Sequence, residues 1–490
     1  MGIVEIPLTG GAYQARALIA SAQEAINIYP ERNPKDGQAP SPVTSYLTPG
    51  LTTLVDAPPA VTAVRQEYRT TNGVVFVVIG DTVYTLDSGY NLSAVGAITF
   101  ATTPVTIIDN GIVAILVDGS TTAYVIDVNT LAFASFSLAE GFLGADKVCF
   151  LDTFFLFNLP GTNIFYSTLS NVDFAMITGA TAFDPLDIAA KTSRADPIVT
   201  LDVVNGEIWL IGEYSTEVWS LVGGAGFPFA RIPGAVVNHG AVATYGQARS
   251  AQSLFWLMRD DQGFGSIVMS QGTGSVVPVT PYAMVSAIQH YSVLTDCIMY
   301  TRQEDGHYFL VVIFPAQDVT WEMDIGTGQW HKLASTDTDG VLRRHRSNCY
   351  VEAYGKSIVG DYANGKLYDL DHNALTDAGM PIIRLRSFPV IVEGGREQAF
   401  HSLILDMQGG TYEGDPTLTP LVTLRGSDTG GASWQWAITQ TMGAQGEFRT
   451  SIKFGPPLGS ARSRVYEVSW SVEAKTAINR AWSDHDVLAW

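Results

Sequence analysis

The stretch VTWEMDIGTGQWHKL, residues 319–333, decides the fold. Thr320, Glu322 and Asp324 alternate with Trp321 and Met323 at the two-residue period of a strand; Gly326 and Gly328 supply a turn, and Trp330 alternates with His331 on the return. The stretch therefore reads as a β-hairpin. A Trp–His pair after a glycine-rich turn could also floor an active site. Against that, His331 points away from the face that Trp330 occupies, and no Ser, Cys or carboxylate constellation is visible beside it. His331 is expected to be a surface or interface residue rather than a catalyst.

Working outward, the hairpin's first strand belongs to a recurring pattern: an aromatic, any residue, an aliphatic or Met, then Asp. It occurs at Tyr84–Asp87, Tyr124–Asp127, Trp321–Asp324 and Tyr368–Asp371. The first two aspartates are 40 residues apart (127 minus 87) and the last two 47 (371 minus 324), which are blade-sized intervals for a β-propeller. Degenerate copies lie between them, near Tyr166, Trp219 and Met269, making seven candidate hairpins. One blade cannot bury both of its faces. Packing blades radially covers those faces and leaves only short edges exposed. The closing Asp suits a turn, because its carboxylate accepts N–H bonds from the residues that follow.

The expected architecture is all-β, a propeller of six or seven blades over residues 59–378. Residues 379–490 change texture to longer alternating strands such as QAFHSLILDMQGG and RVYEVSWSVEA, and read as a β-sandwich-like C-terminal segment. Residues 1–58, with Pro, charge and little core material, read as an extended N-terminal arm that adds strands elsewhere.

Composition narrows the function. Hydrophobic residues make up 46% and charged residues 16%, as in a globular chain with a sizeable core. A net charge of -20 argues against a protein that grips nucleic acid, since phosphate binding needs clustered Lys and Arg. It is compatible with a wall that DNA slides past, because an acidic lumen repels phosphates. The three cysteines, Cys149, Cys297 and Cys349, lack metal or redox spacing and read as buried small hydrophobes. The N-terminus shows no signal-peptide pattern, and the apolar runs are too short for a spanning helix, so the chain reads as soluble.

Candidate chemistry is sparse. SDTGGASW, residues 427–434, approximates the Asp-box turn of sialidase-type propellers, with Thr429 where that motif wants Asp; such a turn stabilises a hairpin outside any active site. STDTDG, residues 335–340, places Asp337 and Asp339 at calcium-loop spacing but lacks the third alternate ligand at Val341 and has Asn348 where a bidentate Glu belongs. Asp260 and Asp261 read as turn residues. No GxSxG, HExxH, P-loop or Rossmann fingerprint is present, so no catalytic, cofactor or metal residue is assigned. Arg343, Arg344 and Arg346, in RRHR around His345, form the only basic cluster of an acidic chain. They are candidates for a DNA-channel or subunit-interface contact, weighed against a plain solvated face.

Several motifs, in order along nearly the whole chain, carry a resemblance: INIYPE and LTPGL, GEIWLIGEYSTEVW with FPFARIPGAVVNHG, DVTWEMDIGTGQWH, VGDYANGKLYDLD, and SDTGGASW with LGSARSRVYEV. Together they resemble the tail nozzle, or packaged-DNA stabilisation, proteins of short-tailed bacteriophages. The resemblance implies a non-enzymatic β-propeller protein in the virion tail, assembled in the host cytoplasm as a homohexameric ring below the portal and adaptor. There it extends the channel for double-stranded DNA without binding it specifically, helps retain the genome, and bears the tail needle or plug and spikes or fibres. It implies no membrane insertion and no cofactor. Thr429 departs from the Asp-box pattern, which touches one hairpin only. The alternative reading is a glycan-binding or glycan-hydrolysing propeller of a receptor-binding tail component, which requires Arg, carboxylates or aromatics at a propeller mouth.

Overall fold

The computed structural model describes residues 2–8, 11, 13–18, 20–33, 41–223, 226–412, 419–448, 451–455 and 457–488. The architecture is all-β, with two short α-helices, Phe174–Thr178 and Tyr282–Gln289. Six antiparallel blades are built from strands that follow one another in the chain: residues 64–97, 106–136, 148–190, 198–237, 240–278 and 298–336. A further unit, residues 347–371, has three strands of its own and takes its fourth from Gly50–Val55, which pairs antiparallel with Leu367–Asp371. We number these units blades 1 to 7. The first strands of successive blades touch round the ring and are therefore innermost. Hairpin counting left the choice between six and seven open because the middle copies are degenerate; the structure adds that the last unit borrows its fourth strand from the arm.

Buried apolar clusters fill the seams between blades. Phe76 and Val78 of blade 1 meet Leu116 and Ile126 of blade 2, Trp209 of blade 4 meets Trp256 of blade 5, and Val351 of blade 7 meets Val75 of blade 1. Each such side chain, fully removed from water, contributes about 1.5–3 kcal/mol. In the 319–333 hairpin, Met323 pairs with Trp330 and Glu322 with His331. Trp321, Met323 and Trp330 pack on Phe255 and Ile267 of blade 5, and the Trp330 indole N–H donates to the Val279 carbonyl at 2.9 Å. Gly328, at φ 68°, turns the chain. Asp324 accepts from the Gly326 N–H and the Thr327 hydroxyl, both at 2.9 Å. Asp87, Asp127 and Asp371 cap their turns through the same kind of bond, so the recurring aspartate is a turn device in all four copies.

One expectation is corrected here. His331 does face away from Trp330, but it is not a surface residue: it is fully buried, with Nε2 2.8 Å from Glu322 Oε2 and its ring 6.0 Å from that of Tyr29 in the N-terminal arm. A hairpin read in isolation leaves one face free. The arm covers that face.

The C-terminal residues form a two-layer sandwich around Phe400, Leu403, Leu424, Tyr466 and Val468. The arm is woven into both layers. Gly2–Ile6, Ile28–Arg32 and Val43–Leu47 join the sheet of Gln398–Met407 and Ile478–Val487, whereas Glu24–Ile26 joins the sheet of Arg384–Ser387 and Ser463–Trp470. Residues 34–40 of the arm lie outside the described residues. Glu24–Ile26 also pairs with the outer strand of blade 6, with Ile26 opposite Lys332, so one continuous sheet runs from the propeller into the sandwich. Asn27 reinforces the junction: its amide donates to the carbonyls of Ala334 (2.8 Å) and Ile383 (2.9 Å) and accepts from the Ala334 N–H (2.9 Å).

Candidate functional site

The basic cluster lies on the connection from blade 6 to blade 7, and its members part company there. Arg343 is half-exposed, with Nε 2.8 Å from Asp337 Oδ2 and Nη1 3.4 Å from Asp318 Oδ2. Arg344 is buried, its guanidinium 3.8 Å from the Tyr362 ring centre, and burial lowers its pKa. His345 is buried too; burial pulls its pKa down to about 4, so it is neutral, and its Nδ1 lies 2.7 Å from Ser347 Oγ. Arg346 faces Asp361 at 3.7 Å. The three arginines therefore sit among Asp318, Asp337 and Asp361. Asp337 also accepts from the Asp339 and Val341 N–H groups, which occupies the oxygens that a calcium loop would offer.

Two cavities border this connection, both on the face where chain passes from one blade to the next. One, of about 220 Å³, lies under Thr336, Asp337, Arg343, Arg346 and Asp361. The other, of about 390 Å³, opens at the inner ends of the first strands and is lined by Thr102, Pro104, Tyr245, Asp296, Arg344 and Tyr362, drawn from around the ring. The aspartate-capped turns lie at the opposite face, because each follows a third strand.

The seam between blades 6 and 7 is the polar one. Arg302 bridges to Glu322 (Nε to Oε1 2.6 Å, Nη2 to Oε2 3.0 Å) and to Glu304, which meets His372 Nδ1 at 2.7 Å. Burial would raise the Glu322 pKa, but Arg302 and then His331 overcome it and hold the carboxyl at about 2. Tyr300 and Tyr350 stack across the seam with centroids 6.1 Å apart, and the Tyr300 hydroxyl donates to Ser347 Oγ at 2.6 Å. Buried Leu51, Val359, Tyr368 and Leu370 on the blade 7 side form their own small cluster, with no blade 6 member. Sequence reading missed these charges. The one available signal was that Glu322 falls opposite His331 in the hairpin register.

Elsewhere, polar residues of GEIWLIGEYSTEVW serve packing. Lys191, fully buried, bonds to Asp196 and lies 2.6 Å from Ser215 Oγ. Ser and Lys at that distance have the residue types of a nucleophile and base, yet both are sealed from solvent. Glu217 accepts from the Thr192 N–H (2.8 Å), the Ser193 N–H and the Trp219 indole (2.9 Å), tying blade 3's exit to blade 4. Asp260 accepts from the Gln262 and Gly263 N–H groups, and Asp261 forms a two-pronged pair with Arg194. In the Asp-box-like turn, Ser427 Oγ accepts from Gly431 N–H (2.8 Å) and Thr429 Oγ1 from Ser433 N–H (3.0 Å), so a hydroxyl does the bonding expected of the missing carboxylate. All three cysteines are buried and unbridged.

Among solved structures, the extracellular domain of the two-component system BT4673 from B. thetaiotaomicron aligns with a TM-score of 0.43 and 7% identity over 65% of this chain. The alignment covers 39% of that chain, well under half of its length. The WD40 β-propeller domain of Doa1 aligns with a TM-score of 0.39 and 10% identity, covering 65% of this chain and 97% of that one. No curated protein matches the sequence. A family model, described as bacteriophage P22 Gp10, β-propeller, matches residues 4–375, the arm and the blades together. Since that match takes in well over half of the chain, this protein belongs to the phage-stabilisation family of bacteriophage P22 Gp10.

Proposed function

We propose that this phage structural protein is the tail nozzle of a short-tailed phage. Six copies form a ring below the portal and its adaptor, continue the DNA channel, help retain the packaged genome and carry the distal needle or plug with its spikes or fibres. The observation that carries this reading is the family match over residues 4–375. The net charge of -20 supports it, because a duplex passing an acidic wall is repelled and slides instead of sticking. Arg343 is half-exposed at the blade 6–7 connection, and in this reading it is the member of the basic cluster that would meet a neighbouring subunit or passing DNA. Among the described residues, no helix is long and apolar enough to cross a membrane. The test is a phage in which this gene is disrupted. Filled heads that lose their DNA before maturation support the reading; stable, DNA-filled particles with complete tails contradict it.

The cavity at the inner ends of the blades favours a second reading, glycan binding or hydrolysis, since Arg344, Asp296, Tyr245 and Tyr362 are the residue types that a sugar site requires. Incubation with host surface glycans distinguishes the two: binding or sugar release that is lost on filling the cavity, by Thr244→Trp in its lining, supports the second reading, and no binding and no release eliminates it.

A further inference from the structure

Three buried side-chain atoms that have no hydrogen-bond partner among the described residues belong to residues lining a single cavity. They are Arg344 Nη1, Arg346 Nε and Thr336 Oγ1, and the cavity is the one of about 220 Å³ between the outer strand of blade 6 and the second turn of blade 7, residues 362–366. Each unpaired buried polar atom is costly, and a guanidinium the more so because it carries charge. All three can donate a hydrogen bond. The cavity's charge is also unbalanced. Three guanidiniums line it against two carboxylates, Asp337 and Asp361, and both carboxylates are already engaged. Asp337 accepts from two backbone N–H groups and Arg343, and Asp361 accepts from the Ala363 N–H (2.7 Å) and the Tyr368 hydroxyl (3.0 Å) while facing Arg346. The wall therefore lacks a compact acceptor of negative charge, within a space that fits a group of a few heavy atoms and excludes a duplex.

We propose that this cavity binds a tetrahedral oxyanion, phosphate or sulfate, held by Arg344, Arg346 and Thr336, and that the bound ion locks blade 6 to blade 7. Arg346, a quarter exposed, is the jaw that turns inward to meet it, and Arg344 is fixed by its stack on Tyr362. The position gives the site its consequence. Among the described residues this seam has no shared apolar cluster, unlike its neighbours, so an ion that bridges the Thr336 strand to the Arg344–Arg346 connection adds cohesion where such a cluster is missing.

The test uses the full chain in thermal unfolding and in titration calorimetry, with sodium phosphate or sodium sulfate against sodium chloride at matched ionic strength. The expected result is heat of binding and a saturating rise in Tm of about 1 °C or more with the oxyanions at tenfold excess over Kd. Arg346→Met abolishes both, and the smaller change Thr336→Val weakens binding about threefold to tenfold. The variants also separate site binding from the general stabilising effect of sulfate, which they leave intact. Coincident curves in phosphate and chloride would overturn the proposal, as would a rise that survives in both variants. Because a duplex cannot enter a space of this size, a short DNA duplex that binds in competition with phosphate would overturn the buried site. Duplex binding that phosphate does not displace, together with no phosphate shift, would overturn the site.

Discussion

Glu67 lies on the inner strand of blade 1 at the seam with blade 7, almost fully buried, with the Cys349 thiol beside its carboxyl and, among the described residues, no ion-pair partner. Burial pushes its pKa up to about 8. The folded state thus binds a proton that the unfolded chain gives up near pH 4.5, so this contribution to stability is complete below that pH and is lost as pH rises through about 8. Glu67→Gln, which cannot ionise, is expected to match the parent at pH 5 and to exceed it by about 1–3 kcal/mol at pH 8.5, in denaturant titrations at the two pH values. Glu322 has the opposite sign, since its carboxyl is held at about 2 and its stability is lost as pH falls below the ordinary Glu range. Glu322→Gln leaves Arg302 buried beside a neutral partner and is expected to cost about 3–5 kcal/mol at pH 7. A cost below about 1 kcal/mol in urea unfolding would contradict the buried pairing. Among single residues, the turn aspartates were legible because their bonds are made within four residues of chain. Burial of His331 was not, because its cover, Tyr29, is remote in sequence.

At the scale of elements, the hairpins and their order were readable from alternation, while the closing of the ring was not. Gly50–Val55 completes blade 7 from the far end of the chain, and only pairing in space reveals it. Gly50 is fitted to this role: a Cβ there would stand 2.4 Å from the Ala374 carbonyl oxygen and 2.6 Å from that of Thr376. Removing residues 1–22 leaves the closing strand in place, and that variant is expected to retain a protease-resistant propeller core. Removing residues 1–57 opens blade 7 and exposes the strand edge of Leu367–Asp371, so limited proteolysis is expected to cut the blades themselves. Equal resistance of the two truncations would show that the ring does not depend on that strand. The weld between blade 6 and the sandwich was hidden for a related reason, since Ile26 and Lys332 meet across most of the chain.

For the whole molecule, the sequence conveyed an acidic, all-β chain, a propeller followed by a sandwich-like segment, and motifs that the family match over residues 4–375 supports at the level of the family. It did not convey that the basic run is folded among carboxylates, because Asp318 and Asp361 reach it from other strands and from the next blade. Those contacts pair the basic run with carboxylates in a chain whose net charge is -20, the charge balance that the proposed DNA conduit needs. The central claim, a sixfold nozzle, is tested most directly by peptide quantification of purified virions from the phage or prophage that carries this gene. The measured quantity is the copy number of this protein relative to the portal. The account predicts one copy for every two portal subunits, six below a twelvefold ring; absence from the virion, or a large excess over the portal, would contradict it.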